Sequence, residues 1–220
     1  FSVFSYKTKS DKYIVLGSSS TLSQEYRILN ADKPKGKFKM FQTRVEGLEY
    51  SISHFNDKWF VVTNKDEATN FKLMSCPELK TSSNNWVDYI NHRDNVLLEG
   101  IEVFDDFLVV TERENGLRRV DIRPWSDKES HYINFEEEAY SLYSSDNPQM
   151  NTNKFRYSYS SMTTPNSVIE YDMITKEKKV MKETEVLGGD FNKSNYESKR
   201  IWAEARDGKK AVSYTHLRAH

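Results

Sequence analysis

Apolar residues in this chain come in short bursts that alternate with polar turn clusters, and helical spacing is hard to find anywhere. Alternation bounded by Asp, Asn, Lys, Gly and Pro predicts strands and turns. The stretch NDKWFVVTNKDEATNFKL, Asn56 to Leu73, reads as strand, polar turn, strand, and FDDFLVVTERENGLRRVDI, Phe104 to Ile122, repeats it. Each hairpin opens on an aromatic that follows a polar turn. Tyr13, Trp59, Phe107 and Phe155 fit this description and stand 46, 48 and 48 residues apart. A second strand follows each anchor: EYRIL, NFKLM, LRRVDI and SVIEYDM.

A period in the high forties filled by strands predicts β-propeller blades of four antiparallel strands. FSVFSYKTK, LEYSISHF, VLLEGIEVF and EAYSLYSSD supply an inner strand before each hairpin. FKMFQTR, WVDYI, SHYINF and KKVMKE supply an outer strand after it. The expected fold is therefore all-β, with four blades at about residues 1–45, 46–93, 94–135 and 136–183. A β-sandwich is the competing arrangement, but it does not require such a metre.

Composition narrows the function. Lys+Arg 32 against Asp+Glu 33 leaves a net charge of -1, which argues against a nucleic-acid partner. No apolar run reaches the length of a membrane span, so no membrane partner is expected. Cys76 has no second cysteine to pair with and reads as a small buried hydrophobe; with no visible signal peptide, a reducing cytoplasm is expected. No two of the eight glycines stand four apart, so a G-x-S-x-G nucleophile elbow is absent from the chain. There is no P-loop, H-E-x-x-H or C-x-x-C, and neither metal nor cofactor is expected. His54 and His92 read as structural, Glu136 to Glu138 as a solvated turn, and Tyr157 and Tyr159 as packing between blades.

HRDNVLLEG, LVVTERENGL, RYSYSSMTTPNSVIEYDM and EVLGGDFNKSNYESKRIWAEARDG together resemble the propeller of the prolyl oligopeptidase family, and within it oligopeptidase B. The likeness extends over about residues 1 to 210. It implies a seven-bladed propeller, of which four blades are present, capping an α/β-hydrolase domain. It also implies a cytoplasmic serine endopeptidase that cuts oligopeptides after Lys or Arg. In that family the catalytic Ser, Asp and His lie in the hydrolase domain, so no catalytic residue is assigned here, and the oligopeptide partner is met through that absent domain.

Residues 184–211 are expected to leave the propeller, with Ala205, Arg206, Asp207 and Gly208 as a hinge. Glu49, Glu99 and Glu102 are candidate channel-rim carboxylates that would favour entry of basic peptides. Residues 212–220 read as a non-native tail, because no Val-Pro pair follows ARDG. The chain opens without Met and already inside a strand-like pattern, so the true N-terminus is expected upstream of Phe1. Four blades of a larger ring would leave apolar surface uncovered around Tyr13, Phe155, Tyr157 and Tyr159. The alternative function is a stand-alone propeller that binds proteins, which would close its ring within this chain.

Overall fold

The structure is a computed structural model that describes residues 1–218 apart from Asp127 and Asp190. Among them lie eighteen strands and two short 3-10 turns, an all-β architecture as the alternation predicts. The strands are β1 (Ser2–Lys7), β2 (Tyr13–Ser20), β3 (Ser23–Asn30), β4 (Lys39–Gln42), β5 (Tyr50–Phe55), β6 (Lys58–Thr63), β7 (Lys72–Pro77), β8 (Val87–Ile90) and β9 (Val96–Val103). They continue as β10 (Phe107–Glu114), β11 (Leu117–Pro124), β12 (His131–Tyr132), β13 (Tyr140–Ser144), β14 (Lys154–Ser161), β15 (Ser167–Asp172), β16 (Lys178–Glu183), β17 (Tyr196–Glu204) and β18 (Lys210–Arg218). They form four four-stranded sheets, β1 to β4, β5 to β8, β9 to β12 and β13 to β16, each pairing its strands in chain order. The ladders within β1–β4, β5–β8, β9–β11 and β13–β16 are antiparallel, as blades require. Every anchor aromatic sits on the second strand of its sheet and is buried.

The chain divides into two compact units. The first holds the three sheets from β1 to β11 and His131, with residues 148–152. Its middle sheet explains why WFVV is apolar at successive positions. Trp59 and Val61 pack with Tyr13, Val15, Tyr26 and Phe41 of the first sheet. Phe60 and Val62, pointing the other way, pack with Leu98, Val103, Leu108 and Val110 of the third. A strand buried on both faces loses the period-two signal and reads as a continuous hydrophobic run. Asn115 and Gly116, with φ of +50° and +83°, make the two-residue turn between β10 and β11. Asn-Gly supplies this conformation at low cost, and it matches the strands' twist.

The second unit holds the sheet β13 to β16 and the hairpin β17–β18. On β14 the alternation is clean: Phe155, Tyr157 and Tyr159 are buried, while Arg156 between them is exposed. Phe135 covers this face, its ring stacked on Tyr159 at 5.6 Å and edge-on to Tyr157 at 5.8 Å.

The surface expected around Tyr13, Phe155, Tyr157 and Tyr159 is therefore not exposed; these residues are 8%, 0%, 0% and 8% accessible. Tyr13 turns into the packing between the first and second sheets, and Phe135 packs against Tyr157 and Tyr159. Exposed apolar side chains on edge strands include Val3, Phe4 and Tyr6 of β1 and Val180 and Met181 of β16. Residues 205–208 form the turn between β17 and β18, and Gly208 takes φ +77°, a region that glycine enters without strain. Of the expected tail, residues 212–218 pair with β17, while Ala219 and His220 lie outside the described residues.

Candidate functional site

The three carboxylates singled out in the sequence divide between two cavities in the first unit. Glu49 immediately precedes β5, and Glu99 lies near the start of β9; both line a cavity of about 520 Å³ with Phe4, Tyr26, Tyr50 and Arg118. Glu102, three residues further along β9, lines a second cavity of about 270 Å³ with Tyr6, Thr8, Lys9, Ile52 and His54. Opposite ends of the first strands thus carry different sets of charges.

Glu99 does not supply free negative charge. Arg113 Nε and Arg118 Nε approach its two oxygens at 2.7 and 2.5 Å, the first from the neighbouring strand β10 and the second from β11 beyond it. Cross-strand pairs of opposite charge stabilise a sheet, and here two guanidiniums share one carboxylate. Glu102 stands 3.9 Å from Lys9 Nζ. The Lys9 ammonium lies 3.4 Å from the centre of the Phe104 ring and makes no hydrogen bond among the described residues. Burial lowers its pKa to about 8, against the opposing pull of Glu102 and Asp105.

This lysine gives a pH test. Its pKa in the fold lies below the ordinary value, so between pH 8 and about 10.5 the unfolded chain binds the extra proton and stability rises with pH. Lys9→Met is expected to be more stable than the parent at pH 7, by on the order of 1–2 kcal/mol. The advantage should narrow as pH rises through that interval. Urea unfolding at pH 7 and 9.5 measures it, and a Lys9→Met chain less stable at pH 7 would contradict the account.

His54 is structural, as read from the sequence. It is buried, with Nδ1 at 2.8 Å from Ser10 Oγ and Nε2 at 3.1 Å from Glu78 Oε1. Glu78 also accepts from Tyr13 Oη at 2.8 Å and pairs with Lys12 at 2.5 Å. Burial would push the Glu78 carboxyl up, but these donors hold it below its usual range. Burial likewise lowers His54. The row ties the β1–β2 turn to β5 and the end of β7, which fastens the first sheet to the second. His92 Nε2 accepts from Asn70 N at 3.3 Å.

In the second unit the acidic run corrects its reading. Glu136 and Glu138 are exposed, but Glu137 is not a solvated turn residue. Its carboxylate accepts from Tyr159 Oη at 2.6 Å, Ser161 Oγ at 2.7 Å and Thr164 Oγ1 at 3.1 Å, and also from Thr163 Oγ1. The sequence signal was present: three hydroxyl residues, Ser161, Thr163 and Thr164, close the β14 turn. Only the fold shows that Glu137 faces them.

Among the described residues no cluster of three or more His, Cys, Asp or Glu side chains could hold a metal ion. Residues 1–184 match the model of the prolyl oligopeptidase N-terminal β-propeller domain. The chain belongs to the prolyl oligopeptidase family. Its relatives include dipeptidyl aminopeptidase BI of Pseudoxanthomonas mexicana, 41% identical over 209 residues, or 95% of this chain and 28% of the relative. Protease 2 of Moraxella lacunata is 28% identical, over 96% of this chain and 30% of its own length. Oligopeptidase B from Leishmania major superposes with a TM-score of 0.87 at 25% identity, covering 99% of this chain and 32% of that one. Oligopeptidase B from Trypanosoma brucei with covalently bound antipain, in a closed form, gives 0.86 at 28% identity, again over 99% and 32%. The chain is thus the propeller portion of a peptidase related to oligopeptidase B, and it spans under a third of the length of these relatives.

Proposed function

We propose that this propeller belongs to a serine endopeptidase that cleaves oligopeptides after Lys or Arg, and that it restricts access to a hydrolase domain outside this chain. The observation that carries the reading is the likeness to two oligopeptidase B structures over nearly the whole chain, at TM-scores of 0.87 and 0.86. The chain alone is inert in this reading, because acyl transfer needs a nucleophile, a base and an oxyanion hole, and the elbow that would hold the serine is absent. A reducing compartment, the cytoplasm, fits the lone Cys76, which is buried and whose thiol burial pushes up to about 12.

The 41% identity to a dipeptidyl aminopeptidase supports a second reading, in which dipeptides are released from a free N-terminus. One experiment separates the two. The whole protein is given a peptide with an internal arginine, once with a free and once with an acetylated N-terminus, and the products are read by mass. Cleavage after arginine in both supports the endopeptidase. Cleavage of the free form only, two residues at a time, supports the aminopeptidase. Cleavage only after uncharged residues overturns the basic preference, and turnover by this chain alone overturns its inertness.

A further inference from the structure

We propose that the 520 Å³ cavity beside the start of β5 is a docking site for a cationic side chain of a peptide, with Glu49 as its counter-charge. The inference rests on the reading that the whole protein handles Lys- and Arg-containing peptides, and it assigns part of that recognition to the propeller.

Glu49 is held in place by its backbone while its carboxylate is left unused. Its amide donates to Asn64 Oδ1 at 2.9 Å. Its carbonyl accepts from Thr63 Oγ1 at 2.9 Å and from Asn64 N at 3.2 Å. The next residue is pinned as well, with Tyr50 N donating to Gln24 Oε1 at 3.0 Å. Yet the Glu49 carboxylate makes no ion pair or hydrogen bond among the described residues. The other carboxylate of the cavity, Glu99, is bound by Arg113 and Arg118. No lysine lines the cavity.

The walls suit the same guest. Tyr26 and Tyr50 stand edge to face at 5.1 Å, and Phe4 meets Tyr26 at 6.0 Å. Aromatic faces attract cations, and a fixed carboxylate beside them adds charge complementarity. Burial raises the pKa of both tyrosines, so they stay neutral and add no competing charge. An anion would meet Glu49 with Arg118 already engaged. A neutral side chain would leave the carboxylate unpaired in a partly enclosed space, which is unfavourable. A guanidinium or ammonium satisfies it.

The test uses N-acetyl-arginine amide, with N-acetyl-citrulline amide as the uncharged isostere, titrated into this chain while the backbone amide resonances of Glu49, Tyr50 and Leu98 are followed. The arginine compound is expected to shift these three resonances and to bind about five- to tenfold more tightly than citrulline, the contribution of one partly exposed ion pair with ring contacts. Glu49→Gln should bring arginine down to the citrulline level, and Glu49→Asp should retain part of the difference. Equal binding of the two compounds, unchanged arginine binding in Glu49→Gln, or shifts confined to other residues would overturn the site. Cleavage by the whole protein is read separately. Arginine docking at Glu49 without cleavage after basic residues leaves the site standing and removes the substrate reading. Cleavage after arginine with unaltered binding in Glu49→Gln does the reverse.

Discussion

Trp59→Ala will cost this chain about 3–5 kcal/mol of stability, the range for removing a fully buried large aromatic. Trp59 is 0% accessible. Its ring lies between those of Tyr13 at 5.0 Å, His54 at 4.8 Å and Phe41 at 5.1 Å, so it contacts the first sheet while belonging to the second. Its Nε1 also donates to the Glu78 carbonyl at 3.3 Å, beside the polar row that fastens the same two sheets. Truncation therefore opens a cavity and removes one anchor of that row. A domain is stable by only about 5–15 kcal/mol in total, so the loss is a large share of it. Urea unfolding followed by circular dichroism measures the effect. A loss below about 1 kcal/mol would mean that the sheets are not held together through this ring.

Glu137→Ala is expected to cost about 2–3 kcal/mol, because it strands the Tyr159 hydroxyl and three turn hydroxyls that now share one carboxylate. Burial pushes the Glu137 carboxyl up, but the hydrogen bonds from Thr163, Tyr159 and Ser161 outweigh it, and the pKa is held below the ordinary value. The sign of the pH dependence follows. A carboxyl with a depressed pKa in the fold contributes stability that is complete above its unfolded value, about 4.3, and is lost as pH falls through its folded value. The gap between the parent and Glu137→Ala should be full at pH 7 and shrink below about pH 4. A gap that is constant from pH 7 to pH 3 would show that ionised hydrogen bonding is not what Glu137 provides.

The repeat was legible in the sequence because its signals are local. A polar turn, an aromatic and an alternating run recur at Tyr13, Trp59, Phe107 and Phe155, and each feature is written within a dozen residues. What faces what was not legible. Glu99 and Glu102 are three residues apart on one strand, yet they line different cavities and meet different cations. Glu137 reads as one of three equivalent glutamates, since its hydroxyl partners arrive from the far end of β14. The burial of Tyr13 and Tyr159 is illegible for the same reason: it depends on Trp59 and Phe135, distant in sequence and adjacent in space. Candidate carboxylates could be named from the chain, but which of them remained unpaired required the positions of Arg113 and Arg118.

Every strand of the four sheets pairs only with its neighbours in the chain. Each ladder can therefore close through a short loop, without waiting for remote segments, and contacts of low sequence separation form fast. Each sheet could acquire its register while the following one is still being synthesised, leaving only side-chain interdigitation between sheets for later. The hazard of this design is exchange between copies. A β10–β11 hairpin from one molecule offers much the same template as β6–β7 of another, so crowded refolding is the condition under which this chain should tangle. The row through Ser10, His54 and Glu78 joins the first sheet to the second, and its matched donors and acceptors favour the correct neighbour there.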